Sequence, residues 1–425
     1  MKKYRERIAD ILLRDQLEAT GVVLIQGPKW CGKTTTAEQV AKSVIYMDNP
    51  SNRAAYMSLA QSDPMVLLKG DNPRLIDEWQ LSPSLWDAAR FDVSRKGVPG
   101  LYIFTGSSVP VDSSQITHSG AGRFGKLTMR PMSLWESGDS NGAISLGDLF
   151  NHNFSAAQSL PIDIEKLSFL ICRGGWPGVL ELKPKAALLQ SRNYVDVVAE
   201  SDISRADGVS RSNAFARRLM RAYARHQGQQ VSVGTLYTDI QNHDDEPSLS
   251  EDTITSYINA LKKIFVIEDV VAWNPNLRSK TAIRTSDTRY FVDPSIATAI
   301  CGIGPKELVQ DLNTLGLLLE TMCVRDLRVY AEALDGTICH YRDKNGLECD
   351  AVVHLRNGNY GLVEIKLGGD NLVNEGAKTL LNLASKIDIS KMKEPAFMMV
   401  LTGLGEFAYR RTDGVYVVPV SCLKY

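Results

Sequence analysis

The stretch GPKWCGKTTT, residues 27–36, constrains this chain more than any other. It has the spacing G-x-x-x-x-G-K-T, and its flanks supply the context that spacing needs. GVVLIQ (21–26) is a short Val/Leu/Ile run and predicts a buried strand. TTTAEQVAKSV, from residue 34, carries Ala37, Val40, Ala41 and Val44 at helical spacing and predicts a helix over that run. In the order strand, glycine loop, helix, successive backbone N–H groups can turn towards an anion. Gly27 and Gly32 allow the curl, and the helix start adds the positive end of its dipole. Lys33 can reach the β and γ phosphates of ATP, and Thr34 can hold Mg2+ through its hydroxyl, with Thr35 beside it in the nucleotide set.

Four further apolar runs follow: VIYMD (44–48), RLIDE (74–78), LYIFTG (101–106) and KLTMR (126–130). Segments long enough to hold helices separate most of them, which predicts an α/β fold with a parallel sheet covered on both faces. Ligands of such sheets sit at the carboxyl ends of strands, where the candidate residues fall. Asp77 ends one strand and can hold Mg2+ through its water shell. Glu78 follows and can orient or deprotonate the attacking water. FTGSS ends another strand with Thr105, Ser107 and Ser108, any of which could sense the γ-phosphate. Arg123 lies in the glycine-rich loop SGAGRFG, where it reads either as a surface arginine or as an arginine finger acting in cis or in trans.

The phosphate loop, LIDEWQ, FTGSS and GAGRFGKLTMRPMSLWE, in this order, resemble the AAA+-type P-loop ATPases of bacteria and archaea. More narrowly, they are similar to the branch that joins such a module to a C-terminal restriction-endonuclease-like domain. The resemblance spans nearly the whole chain. It implies a P-loop core with the FTGSS strand inserted between the phosphate-loop and LIDE strands. It also implies a GG-P turn after the core, met here as ICRGGWPG (171–178), and a helical segment beyond it. An evident C-terminal lid motif is missing, which sets the chain apart from ring-forming members; self-association stays an open expectation.

The middle of the chain is less specific. Residues 137–160, rich in Ser, Gly and Asn, read as an insertion or linker. Arg173 in the GG-P turn either faces the nucleotide or belongs to a simple turn. Arg217, Arg218, Arg221 and Arg225 form a basic stripe beside the apolar face Phe215, Leu219, Ala222 and Tyr223. Such a stripe can track phosphates or be an ordinary solvated face. Ser248 and Glu251 have capping-box spacing, and Ile254, Tyr257, Ile258, Leu261 and Phe265 mark a buried helical face after it. Two short helices followed by strand-like FVIEDVVAW and TRYFVD suggest a winged helix, serving DNA contact or structural linkage.

Near the carboxyl end, Glu320 lies on an amphipathic helix, Asp350 interrupts an apolar strand, and Glu364 and Lys366 alternate on one face of LVEIKL. An acidic residue on one strand and E-x-K on the next is the arrangement of a metal-dependent nuclease. It is similar to the PD-(D/E)xK superfamily. The resemblance implies that Glu320, Asp350 and Glu364 hold Mg2+ and that Lys366 orients water or stabilises charge. Against it stands a salt bridge in a domain that only binds.

The expected organisation is therefore an AAA+-type ATP-binding domain (1–136), a linker and helical segment (137–229), a winged-helix-like domain (230–305) and a nuclease-like domain (306–425). A net charge of −1 over 425 residues removes any global basic field, so DNA binding would rest on local patches. Seven cysteines without a CxxC pair argue against a disulfide framework or a zinc site, and the charged start and lack of a long apolar stretch predict no leader and no membrane span, hence a cytoplasmic protein. Two functions stay open: a nucleotide-gated enzyme acting on DNA, and an ATP-controlled switch for a protein partner.

Overall fold

A computed structural model describes residues 4–106, 118–242, 250–274 and 286–425. They divide into two compact units. One comprises 1–131, 200–212 and 257–266, and the other 132–199, 213–256 and 267–425. Each is assembled from separate stretches of the chain, with 200–212 and 257–266 grouping with the amino-terminal stretch. The boundary at residue 257 falls inside the helix Glu251–Lys263.

Among the described residues the first unit holds a five-stranded sheet of β1 (Val22–Gln26), β2 (Ser43–Tyr46), β3 (Arg74–Asp77), β4 (Tyr102–Gly106) and β5 (Phe124–Thr128). All pairs are parallel, in the order β2-β3-β4-β1-β5, so β4 does lie between the LIDE strand and the phosphate-loop strand. The apolar strands alternate between two cores, as period-two side chains must. Val23, Ile25, Leu75 and Ile103 join Leu13 and Leu17 of the helix Ile8–Ala19 on one face. Val22, Leu24, Ile76 and Phe104 join Trp86, Ala89 and Val93 of the helix Ser84–Lys96 on the other.

One expectation is corrected here. The helix after the glycine loop spans only Lys33–Glu38, and Val44 belongs to β2. Three successive β-branched threonines are weak helix formers, and apolar residues 40–44 serve the sheet as well as a helix face. A dipole from so short a helix adds little.

The second unit contains β6 (Ile144–Ser145), β7 (Ala157–Gln158), β8 (Gly336–Arg342), β9 (Glu348–Leu355), β10 (Tyr360–Lys366), β11 (Phe397–Thr402), β12 (Phe407–Arg410), β13 (Tyr416–Pro419) and β14 (Leu423–Lys424). Its main sheet runs β7-β12-β13-β11-β10-β9-β8, and β14 pairs with β6. Asn345-Gly346 and Asn357-Gly358 make the hairpin turns on either side of β9, with Gly346 at φ 82° and Gly358 at φ 81°. The helix Asp370–Lys386 buries Val373, Ala377 and Leu380 against Val352, Leu362 and Val400 of the sheet. The long helix Leu312–Ala333 packs on β8, β9 and β10.

Residues 137–160 are not a linker. β7 extends the main sheet through Phe407↔Gln158, β6 pairs with the last strand, and Leu146 and Leu149 are fully buried. The Ser/Gly/Asn background hid a few apolar anchors that this sheet covers. The segment read as a winged helix is partly helical. Helices Val233–Asn242 and Glu251–Lys263 form, but the chain after them makes isolated bridges Ile267↔Phe291 and Val270↔Thr288 instead of continuous strands. A further bridge, Ala272↔His340, attaches that segment to β8. Ser248 of the capping-box pair lies outside the described residues.

Among the described residues no helix is long and apolar enough to cross a membrane.

Candidate functional site

The glycine loop leaves β1 with Gly27 at φ 150° and reaches the helix Lys33–Glu38 through Gly32 at φ 101°. A Cβ on Gly27 would lie 2.0 Å from the Met129 carbonyl oxygen, so only glycine fits there. The Lys33 ammonium is buried and donates to the carbonyls of Gly27 (2.9 Å) and Pro28 (2.8 Å), curling the loop around a positive charge. Thr34 Oγ1 donates to Asp77 Oδ1 at 2.8 Å, and Thr105 Oγ1 donates to the same oxygen at 2.5 Å. The parallel register places Asp77 beside Thr105, so adjacent strand ends bring the two together. Burial pushes the Asp77 carboxyl up, and the hydroxyls of Thr105 and Thr34 oppose it. Thr35 follows on the same short helix.

Glu78 stands just past β3 with left-handed backbone, φ 54° and ψ 42°, an uncommon state for a non-glycine residue. Gln80 Nε2 donates to Glu78 Oε2. Burial raises the Glu78 carboxyl, the Asp77 charge raises it further, and the Gln80 bond works the other way. A base held above the ordinary glutamate range is better matched to taking a proton near neutral pH.

One supporting residue escaped sequence reasoning. Arg7, buried on the segment before the first helix, donates to the Cys31 carbonyl (2.9 Å) inside the phosphate loop and to the Arg130 carbonyl (2.8 Å). It ties the loop to the chain leaving β5. No local spacing signals such a contact. Arg7→Ala is expected to destabilise the nucleotide-free protein by about 2–3 kcal/mol, the loss of charged hydrogen bonds to buried carbonyls, read as a lowered thermal midpoint.

Arg123 is not brought to the phosphate loop. It sits at the start of β5, its carbonyl accepting from Val22 N at 3.0 Å, while the loop follows Gln26 at the other end of β1. The sheet separates them by roughly 13 Å, four residues of strand rise. Its guanidinium is exposed and reaches Ser94 Oγ at 3.2 Å and the Ala121 carbonyl at 3.2 Å. An in-cis finger is thereby corrected; the same β-strand that carries the loop separates Arg123 from it. Ser107 and Ser108 lie outside the described residues.

In the second unit the arginine stripe is largely consumed internally. Arg217 pairs with Asp196 at 2.7 Å, Arg225 with Asp239 at 2.6 Å, and Arg221 donates to the Ile300 carbonyl at 3.2 Å. Arg173 donates to Asp139 at 2.9 Å, which supports the turn reading for the GG-P segment. That turn sits on a buried charge network: Asp293 accepts from Gly175 N (3.0 Å) and Arg325 (2.8 Å), and Arg325 also binds Asp326 (2.7 Å). Burial pushes Asp326 up to about 6 against the pull of Arg325.

Two contacts tie residues of the carboxyl-terminal set. Lys366 Nζ lies 2.9 Å from Glu364 Oε2, and Asp350 Oδ2 accepts from Ile365 N at 2.7 Å. Burial and then the charge of Asp350 together raise Glu364 to about 8, against the pull of Lys366. Glu320 is raised by burial and then by the charge of Asp350, with Glu364 and Lys366 also felt there. As they stand, no three His, Cys, Asp or Glu side chains among the described residues are close enough to hold a metal ion. The expected ligand set of Glu320, Asp350 and Glu364 is thus not gathered as a metal site, and two of its members are bonded elsewhere: Lys366 bonds Glu364, and Tyr290 OH donates to Glu320 Oε1.

Three family models match successive parts of the chain: an AAA domain over residues 19–137, the domain of unknown function DUF8612 over 164–307, and the domain of unknown function DUF4143 over 315–423. Two uncharacterized proteins, from Mycobacterium bovis and Mycobacterium tuberculosis, are each 24% identical over 421 residues, covering 98% of this chain and 83% of theirs. Among solved structures, the Aeropyrum pernix ORC2 protein in ADPNP–ADP complexes is similar with a TM-score of 0.30 and 14% identity, over 62% of this chain and 85% of that one. The AAA match and the strand–loop–helix geometry agree: the amino-terminal sheet is a P-loop ATPase fold.

Proposed function

We propose that the chain binds ATP with Mg2+ and hydrolyses it, and that this cycle gates engagement of nucleic acid by the winged-helix-like segment and the carboxyl-terminal domain. The hydrogen bond from Thr34 to Asp77 carries the ATPase reading, since it joins the phosphate loop to the acidic strand end. The residues fit a phosphate chain and its cation. A buried ammonium already fills the curl of the loop, Gly27 has no room for a Cβ, and a hydroxyl and a carboxylate stand together at its mouth. Gly27, Gly32, Lys33 and Thr35 would line the phosphates, and Thr34 and Asp77 would hold Mg2+, which supplies electrostatic stabilisation of charge on the phosphoryl oxygens. Glu78, with Oε2 held by Gln80, takes the proton of the attacking water on its other oxygen. Ser107 is assigned to the γ-phosphate end on sequence grounds alone.

Arg123 is left a role in trans, on a neighbouring copy of the chain. Arg123→Ala is expected to keep ATP affinity and lose turnover, by about 10³-fold for a finger. Mixing it with Lys33→Ala protein should restore part of the rate. Unchanged turnover in Arg123→Ala alone returns it to the surface.

For the carboxyl-terminal domain, the donor set supports a restriction-endonuclease-like site. Glu320, Asp350 and Glu364 are hard oxygen ligands suited to Mg2+, with Lys366 placed to hold or activate water once released from Glu364. Metal-dependent DNA cleavage is the activity this implies. The ion-paired arginine stripe favours a second reading, a switch for a protein partner with a catalytically silent domain. One assay separates them: ATPase and nuclease rates with single-stranded DNA, duplex DNA and RNA. Stimulation by a nucleic acid supports the first reading, and indifference to all three supports the second.

A further inference from the structure

The tip of the glycine loop is held from outside its own strand and helix. Lys29 Nζ donates to Asp202 Oδ1 at 2.6 Å; the Lys29 side chain is half exposed, and the Asp202 carboxylate is buried. Trp30, the next residue, has left-handed backbone at φ 72°, an uncommon state for a bulky side chain. The carbonyl of Cys31, one further on, accepts from Arg7 at 2.9 Å. Charged side chains from two other segments thus hold the residues on either side of Trp30.

Asp202 ends a single π-helical turn, Val198–Asp202, and precedes the short helix Ile203–Arg205. Its carboxylate does not cap that helix and bonds Lys29 instead. The segment behind it is built around Arg211, which donates to the Ile203 carbonyl at 3.0 Å and to Asp207 at 2.6 Å. Tyr257 fastens it to the helix Glu251–Lys263, its hydroxyl accepting from Ser212 N at 2.8 Å. Residues 200–212 and 257–266 group with the phosphate loop in the first unit, yet they lie in the part matched by DUF8612.

We infer that Asp202 is a positioning residue for the phosphate loop, and that residues 200–212 are the segment that responds when the loop is filled. The inference rests on reading the loop as a nucleotide site. A buried carboxylate needs its cation, and here the loop carries that cation, so each holds the other in place. Coupling is reciprocal: what the contact adds to nucleotide affinity, the nucleotide returns as stability of the contact. Charge alone would act the other way. A carboxylate bonded to the phosphate loop repels ATP, so neutralising it would tighten binding.

The test is equilibrium titration of the full chain with a non-hydrolysable ATP analogue and Mg2+, for wild type, Asp202→Asn, Lys29→Met and the double variant. Hydrogen exchange across residues 200–212 is followed with and without the analogue, and melts without nucleotide check that each variant folds. Asp202→Asn is expected to weaken binding about 10-fold, inside the range for coupled sites. It should add no further loss in the Lys29→Met background. In wild type the analogue should slow exchange in 200–212, and Lys29→Met should abolish that slowing. Lys29→Met, which alters an exposed side chain, and the wild-type exchange decide the matter should Asp202→Asn not fold. Binding in Asp202→Asn as tight as wild type, or tighter, overturns the inference. So does an equal loss in both backgrounds, the mark of a purely structural role, or exchange in 200–212 indifferent to the analogue. No binding by wild type defeats the nucleotide reading itself and takes the role of Asp202 with it.

Discussion

Glu78→Gln is expected to bind ATP with wild-type affinity and to turn it over about 10²–10⁴-fold more slowly, the range of a general base. The amide keeps the shape of the side chain and can still meet Gln80 after a flip, but it cannot take a proton. Asp77 is the contrasting case. It accepts from Thr34 and Thr105 at the strand end, so Asp77→Asn should disturb both the cation and the hydroxyls that face it. The separation of the two effects is the measurement: affinity from equilibrium titration, rate from phosphate release. Wild-type turnover in Glu78→Gln removes Glu78 from its role.

Arg325→Met is expected to destabilise the second unit by about 3–5 kcal/mol, because it leaves Asp293 and Asp326 as buried charges without their partner. Asp293 also starts the helix Pro294–Cys301, accepting from Ser295 N at 3.0 Å, and holds Gly175 of the GG-P turn. Removing the arginine therefore loosens three elements at once. Calorimetric melts read the effect. A change below about 1 kcal/mol would mean that the network relaxes to water more readily than its burial implies. Since the first unit has its own sheet and cores, the nucleotide site should be the part least affected.

Much of the candidate nucleotide site was legible in the sequence, because it is built from contiguous residues. The loop and Lys33 come in one run, and Asp77 and Glu78 in another. A parallel sheet with short strands brings such runs together at one edge. The sheet order was also legible, through the resemblance that set FTGSS between its neighbours. What failed did so for identifiable reasons. Residues 40–44 carry a pattern compatible with helix or strand, and the sheet took Val44. Residues 137–160 look polar on average, yet Ile144, Leu146, Leu149 and Phe150 are buried. Average composition cannot report four anchors. Arg123 was judged by its loop and not by the end of the strand it precedes, and that end decides which site it can reach. Arg7, Tyr290 and Asp202 act through contacts distant in the chain, and no local pattern marks them. The carboxyl-terminal cluster lies between these cases. Strand periodicity put Glu364 and Lys366 on one face, whereas the bonds from Tyr290 to Glu320 and from Lys366 to Glu364 became visible only in three dimensions.

The loop from Gly27 to Thr35 is proposed to bind a nucleotide through the charge of Lys33. Equilibrium titration of the full chain with a fluorescent ATP analogue and Mg2+, in wild type and Lys33→Ala, tests it most directly. Saturable wild-type binding that falls by about 100-fold in Lys33→Ala is expected, matching a charged hydrogen-bonding group of about 3 kcal/mol. Equal affinity in the two proteins, or no binding by wild type, would contradict it.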